Sequence, residues 1–410
     1  MRQHGRVIAS ICTGVLGSGF AVGVAVGIAV TLPGSPAYAA CTTSDNSATV
    51  NATPVPWPVQ RYAPDRLANL ADGGGVTVAV IDSGVDASHP SLRNHVAAGL
   101  DLLDGGNGQT DCVGHGTAVA SIIAGQPLPG IGFRGLAPGA TILPFRITEQ
   151  TVVEGATSGR AGSAAGLATA IRKAVDGKAK VINLSVVLNR NDPEVQAATK
   201  YALDNDVVVV AAAGNARENG NPKPYPASYD GVVGVGAIGP DGRRLSSSQV
   251  GDYVDLVAPG SQVTAARSGR GYASWEGTSF AAPFVAAAAA LVRQYWKGLS
   301  AREVVARLIA TADPAPGSRR SNEYGYGVVN PYRAVTERTT SGAPARAAAL
   351  PARSRDPAAE AAAAEVARTR AWALGVAGAG GVLTVLVILA ATVLPRGRDR
   401  RWQPGPTDCA

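Results

Sequence analysis

The chain has 410 residues, 46% of them hydrophobic and 16% charged, with 37 Lys+Arg against 30 Asp+Glu. It is too apolar to be disordered; four Cys in this length exclude a disulfide-stapled miniprotein, and 50 Gly and 27 Pro without a period exclude collagen. The net charge of +7 sits at the chain ends, with Arg2 and Arg6 at the start and nine Arg against five acidic residues after position 338, so nucleic-acid binding is not expected.

Arg2 and Arg6 precede an uncharged apolar run over 7–32, and Ala37-Tyr38-Ala39 then fits the small-x-small pattern of signal-peptidase cleavage. Residues 1–39 therefore read as a signal peptide. An uncleaved anchor and a lipid attached to Cys41 are the alternatives; against the second, Tyr38 stands where an aliphatic residue belongs. Residues 40–75, beginning CTTSDNSATVNATPVPWP, are too short and too rich in Pro and Thr for a separate folded domain. They read as an extended wrap on the domain that follows, with a loose tail as the alternative.

That domain spans 76–336. Short β-branched runs at 76–81, 141–147, 181–187, 207–212, 232–235 and 254–257 predict strands, several of them apolar on both faces as covered parallel strands are. Helices are expected over 115–124, 163–175, 194–205, 278–296 and 300–311, the third opened by Asp192-Pro193 as cap and first-turn proline. The alternation predicts an α/β fold with a doubly wound, mostly parallel sheet, in which active residues gather at the carboxyl ends of strands. Residues 337–370 form an Ala/Pro-rich linker without hydrophobic periodicity. The uncharged run at 371–394, AWALGVAGAGGVLTVLVILAATVL, is long enough to span a bilayer. Arg396, Arg398, Arg400 and Arg401 in the 395–410 tail mark the cytoplasmic side.

Three motifs fall at strand ends and helix starts. VTVAVIDSGVDASHP puts Asp82 at the end of an apolar strand, where a carboxylate needs a partner. GHGTAVASIIAG puts His115 at the mouth of an apolar helix, and GTSFAAPFVAAAAALV puts Ser279 at the start of a longer one. Taken singly, Asp82 and Asp86 fit turn caps, His115 a structural histidine and Ser279 an N-cap. Ala281 stands where a Gly-x-Ser-x-Gly elbow has its second glycine. A serine hydroxyl needs a base to become a nucleophile, and imidazole, with an ordinary pKa near 6.5, is suited to that work. His115 is the candidate base, because His4 lies in the signal and His89 and His95 in a polar loop. A fourth motif, VVVVAAAGN, ends a strand at Asn215.

In the order Asp, His, Ser, with Asn215 between the last two, the chain resembles the subtilisin-like serine proteases over about 76–329. It is more closely similar to the mycosins, membrane-anchored subtilases of type VII secretion. PWPVQRYAPDRLANLADGGGVTVAVIDSGVD, the DCVGHGT start of the histidine motif, the Ala/Pro tether and the final apolar run carry that likeness. The resemblance implies Ser279 as nucleophile, His115 as base and Asp82 as the carboxylate that orients it. Asn215 and the Ser279 N–H would hold the oxyanion, and losing one such donor in a subtilisin-type site costs about 3–4 kcal/mol. One departure is Asn183-Leu184-Ser185-Val186-Val187, where common subtilases carry Asn-x-Ser-x-Gly. Ser185 and Val187 are therefore expected to line a narrowed substrate cleft.

With Cys12 in the signal and Cys409 in the reducing cytoplasm, Cys41 and Cys112 are the pair available to an oxidising exterior, and the mycosin resemblance points the same way. A lipidated Cys41 beside a free Cys112 is the alternative. No clear carboxylate cluster for a metal ion appears, and no cofactor is expected. The function expected from this reading is a membrane-anchored serine endopeptidase acting on exported protein or peptide substrates, with its catalytic domain outside and its C-terminus in the cytoplasm. Its expected partner is the type VII secretion membrane complex. The alternative is mainly a structural stabiliser of that complex, with secondary proteolysis.

Overall fold

The computed structural model describes residues 48–153, 156–316, 320–338, 365, 368, 369 and 372. The signal peptide, Cys41, nearly all of the tether and the apolar 371–394 run, and the basic tail lie outside the described residues. Among the described residues no helix is long and apolar enough to cross a membrane.

Seven parallel strands form the central sheet: β1 (Thr77–Asp82), β2 (Leu100–Asp101), β3 (Thr141–Arg146), β6 (Val181–Leu184), β7 (Val208–Ala212), β8 (Val233–Ile238) and β9 (Leu256–Pro259). Their order is β2-β3-β1-β6-β7-β8-β9. The chain leaves β1 toward β2 on one side and leaves β6 toward β7 on the other, which places the switch point of the sheet between β1 and β6.

Burial follows the period of two. Val78 and Val80 of β1, with Val181, Val208 and Val210, face a core shared with helices α2 (His115–Ala124) and α5 (Thr278–Tyr295). Ala79 and Ile81, with Ile182, Leu184, Val209 and Ala211, face the opposite core with α3 (Ala164–Asp176) and α4 (Pro193–Asp204). The expected doubly wound sheet is thus present, with apolar side chains on both faces. Helix α6 (Ala301–Ala310) starts with a capping box, Ser300 and Glu303.

Some elements were not expected from the sequence. They are α1 (Trp57–Tyr62), α7 (Pro331–Thr336), the edge strand β2, and the hairpins β4–β5 (Thr151–Val153, Ala156–Ser158) and β10–β11 (Val263–Ala266, Tyr272–Trp275). All are six residues or fewer, too short to show a hydrophobic period. Strand β9 starts two residues later than predicted, and β6 ends at Leu184 instead of continuing to 187. After Leu184 the chain turns out of the sheet, and Leu188 pairs with Tyr225 through two 2.8 Å backbone bonds.

The segment before β1 packs on the domain. Val50 N–H donates to the Tyr272 carbonyl at 2.8 Å, extending the β10–β11 hairpin, and Gly132 N–H donates to the Ala52 carbonyl at 2.7 Å. The Trp57 indole donates to the Ser261 carbonyl at 3.0 Å, and the Tyr62 ring lies 5.4 Å from that of Phe284.

An ionic network, buried at Arg146, Asp101 and Glu149 and exposed at Asp104 and Arg160, closes the β2–β3 edge. Arg146, 3% exposed, stands beside Asp82 in the β1–β3 register. Its Nη1 donates to Asp101 at 2.5 Å and to Asp104 at 2.8 Å, and its Nη2 to Glu149 and, at 3.5 Å, to Cys112 Sγ. Arg160 grips Asp104 with both terminal nitrogens, at 2.8 and 2.7 Å, and Glu149 with Nε at 2.8 Å. The Arg160 hydrogen bonds, set against a smaller effect of burial and helped by Arg146, pull the Asp104 carboxyl down to about 2. Removing one member of a buried ionic set strands the others in a dry interior. Arg146→Met is expected to destabilise the fold by about 3–5 kcal/mol, read as a lower midpoint in chemical denaturation; an unchanged midpoint would mean that the network contributes nothing to stability.

Candidate active site

Asp82 is the last residue of β1, at the carboxyl edge of the sheet and beside the switch point. Its Oδ1 accepts from the Ser83 N–H at 2.7 Å and meets His115 Nδ1 at 2.7 Å. His115 opens α2, with its side chain 23% exposed while that of Asp82 is buried. The α2 backbone reaches this close because residue 116 is glycine: a Cβ there would lie 2.0 Å from the Gly84 carbonyl oxygen.

Burial works to lower the His115 pKa. The Asp82 charge, its hydrogen bond and the further charge of Asp111 oppose burial and outweigh it, so the imidazole is held above its ordinary value. The hydrogen bond to Asp82 also places the proton on Nδ1 and leaves Nε2 with its lone pair on the other side of the ring.

The His115 ring packs at 4.9 Å, centroid to centroid, on Phe280, and Phe280 stacks in turn at 5.1 Å on Trp275. Phe280 follows Ser279 in the first turn of α5, so the structure brings the expected base and nucleophile to the same place. No hydrogen bond joins them. The Ser279 hydroxyl instead points at the Ser185 carbonyl, 3.4 Å away, a long contact that it must leave in order to donate to His115.

Asn215 lies three residues beyond β7. Its Oδ1 accepts from the Thr278 N–H at 2.9 Å and from the Thr278 hydroxyl at 3.0 Å, and that hydroxyl accepts from the Gly214 N–H at 3.1 Å. With Oδ1 so occupied, Nδ2 has no acceptor among the described residues. Gly277 leaves room for it: at φ +132°, a Cβ there would stand 2.9 Å from Nδ2. The Ser279 N–H, in the orphan first turn of α5, likewise has no acceptor among the described residues. Two donors without an acceptor among the described residues therefore lie at the start of α5, the Ser279 N–H and the Asn215 amide that is bonded to Thr278.

Ser185 follows β6 and is buried, and Val187 is half-buried against the core that contains α5. Cys112 is disulfide-bonded. His89, expected in a polar loop, is instead 1% exposed. Its two ring nitrogens meet Ser91 Oγ at 2.9 Å and the Gly271 carbonyl at 3.1 Å, which satisfies an otherwise costly buried imidazole, and burial depresses its pKa.

Asp111 and Ser83 were missed in the sequence. Asp111 Oδ1 accepts from Ser83 Oγ at 2.9 Å, from Val113 N–H at 3.1 Å and from Gly114 N–H at 2.9 Å; Oδ2 accepts from the Thr117 N–H and hydroxyl at 2.8 and 2.6 Å. Ser83 Oγ also accepts from the Gly116 N–H at 2.9 Å. The one available signal was the position of Asp111, four residues before His115 in a Gly-rich loop.

Comparison with known proteins bears on the same region. A family model described as the subtilase family, Peptidase S8, matches residues 73–327. The chain is 38% identical over 263 residues to a thermophilic serine proteinase of Bacillus sp. (strain AK1), a match covering 64% of this chain and 62% of that protein. It is 36% identical over 315 residues to Mycosin-1 of Mycobacterium tuberculosis (strain ATCC 25618 / H37Rv), covering 65% and 70%. Among solved structures, MycP1 from Mycobacterium smegmatis superposes with a TM-score of 0.63 at 30% identity, over 76% of this chain and 93% of that one. The MycP3 protease from the type VII (ESX-3) secretion system gives 0.61 at 32% identity, over 73% and 93%.

The raised His115 pKa has a direct readout. Followed by NMR of the ring nitrogens, the imidazole is expected to lose its proton above pH 6.5. Asp82→Asn removes the partner that favours the charged ring and leaves burial opposed by Asp111 alone, so the midpoint is expected to fall. A midpoint unmoved by the substitution would assign the shift elsewhere.

Proposed function

Because the chain belongs to the subtilase family and is a subtilisin-like serine protease related to the mycosins, we propose that it hydrolyses peptide bonds of exported proteins through Asp82, His115 and Ser279, anchored in the cytoplasmic membrane by residues 371–394 and serving type VII secretion. The observation that carries the reading is the 2.7 Å contact of His115 Nδ1 with Asp82, on a ring packed against the residue next to Ser279.

In this mechanism Nε2 of His115 takes the proton of the Ser279 hydroxyl as Oγ attacks the scissile carbonyl carbon. Asp82 stabilises the imidazolium that forms. The carbonyl oxygen, now negative, accepts from Asn215 Nδ2 and the Ser279 N–H, donors that have no other acceptor among the described residues. His115 then delivers its proton to the leaving amine, releasing the first product. A water molecule attacks the acyl-enzyme with His115 again as base, and Ser279 is restored.

The secretion role draws on the likeness to MycP proteases of the type VII machinery. The anchor draws on the uncharged 371–394 run and the four arginines after it. Cys41 is the proposed partner of Cys112, which would pin the N-terminal segment beside the loop that carries His115. Closing about 70 residues would restrict the unfolded chain by about 4 kcal/mol in the loop-entropy model.

Ser279→Ala is expected to abolish labelling by a fluorophosphonate probe and cleavage of peptides while leaving the denaturation midpoint unchanged, since one hydroxyl is lost from a part-exposed side chain. Cleavage at the wild-type rate by that variant would refute the assignment. In intact cells an impermeant thiol reagent is expected to label Cys41 after external reduction alone, and Cys409 not at all. Labelling of Cys409 from outside would reverse the topology, and labelling of Cys41 without reduction would remove the clamp.

A further inference from the structure

Pro283 lies inside α5, four residues after Ser279. In an α-helix each carbonyl is bonded by the N–H four residues later, and proline has none. The helix therefore leaves one particular carbonyl without its ordinary donor: that of Ser279. In a buried element such an acceptor is costly unless another donor reaches it.

The donor comes from the residue that follows the neighbouring strand β6. The Ser185 hydroxyl donates to the Ser279 carbonyl at 3.0 Å. A hydroxyl has a single proton, so its direction matters, and Asn183 sets it: Nδ2 of Asn183, a buried residue of β6, donates to Ser185 Oγ at 3.0 Å. Asn183 Oδ1 is itself buried without a partner, so the amide keeps this orientation at the expense of one unsatisfied acceptor. In the other direction the Ser279 hydroxyl points at the Ser185 carbonyl. Ser185 and Ser279 thus face each other side chain to carbonyl, twice.

We infer that Ser185 is a positioning residue for the nucleophile, its hydroxyl standing in for the helix N–H that Pro283 lacks. An ordinary residue at 283 would close the bond within α5 and tie the first turn to its own helix. Proline transfers that tie to the end of β6, so the Ser279 hydroxyl and N–H are registered against the segment expected to line the substrate cleft. Ser185 then acts on the reacting serine through its backbone and not through contact with substrate. The inference rests on the reading of Ser279 as nucleophile.

The test is a double-mutant cycle in the full chain: wild type, Ser185→Ala, Pro283→Ala and the pair. Two quantities are read, the rate of labelling by a small fluorophosphonate with no peptide portion, and kcat and KM on a peptide. Ser185→Ala is expected to lower the labelling rate and kcat about tenfold, the scale of one lost neutral hydrogen bond, with KM within about twofold. Pro283→Ala supplies the missing N–H, so in that background the same Ser185→Ala change is expected to cost less than about threefold. An equal cost in both backgrounds would overturn the inference. So would a raised KM with labelling unaffected, which would make Ser185 a cleft contact only. Should Ser185→Ala fail to fold, Ser185→Cys, close in size but a weak donor, is carried through the same cycle with the same outcomes. Ser279→Ala separates the two levels: if that variant still labels, the nucleophile assignment falls, whereas loss of labelling with no coupling between 185 and 283 sinks the positioning role alone.

Discussion

The two oxygens of Asp111 accept five hydrogen bonds, from the side chain of Ser83 next to Asp82 and from the backbone and hydroxyl groups that flank His115. They join the end of β1 to the start of α2, and the 2.7 Å contact between Asp82 and His115 depends on that junction. Burial pushes the Asp111 carboxyl up to about 6, against the pull of its Thr117 and Gly114 hydrogen bonds, and the nearby charge of Asp82 adds to the rise. The carboxylate is retained because replacing it with an apolar group would leave several N–H and O–H donors unsatisfied in the interior. Its charge reaches His115 as well, where it works in the same direction as that of Asp82.

The other half of the site hangs on α5. Ala281, Ala282 and Ala286 to Ala290 are all fully buried, and side chains no larger than a methyl group let the sheet and α2 close on the helix together. A larger side chain on that stretch is expected to cost about 1–3 kcal/mol by overpacking. Ser279 therefore inherits its place from the packing of a long helix, and Asn215 from two bonds to that helix's first residue. Asp82, His115, Asn215, Ser185 and Ser279 come from five different segments of chain. Their mutual geometry is as accurate as the core between them is dense.

Much of this was legible before any coordinate. The six main strands and five longer helices announce themselves because β-branched runs and alanine-rich helices have strong local preferences, and α2 has its predicted bounds. The motifs around Asp82, His115, Asn215 and Ser279 were legible because glycine beside a polar residue at a strand end or helix start is a local pattern. What stayed hidden was non-local. Asp111 and Asp101 look alike in the sequence, yet one gathers five donors and the other meets an arginine 45 residues away. Nothing near His89 says that Gly271, 182 residues on, will satisfy its ring. The end of β6 at Leu184 could not be read either, because Ser185 leaves the sheet to reach a carbonyl on α5.

The sheet order also governs timing. Every pairing in the seven-stranded sheet is parallel, so no two neighbours form as a local hairpin, and each must wait for a crossover to be completed. Helix α5, which rests on β1, β6, β7, β8 and β9, is drawn from the chain after all of them. A polypeptide that emerges N-terminus first displays Asp82, His115 and Asn215 while the helix that anchors Asn215 and carries Ser279 is still missing. The serine is the last of the four to arrive, and its arrival is also the event that fills the core. On the proposed assignment the same helix completes the site and fills the larger core, on which α6 and α7 then pack, and a chain that has not yet released α5 has neither.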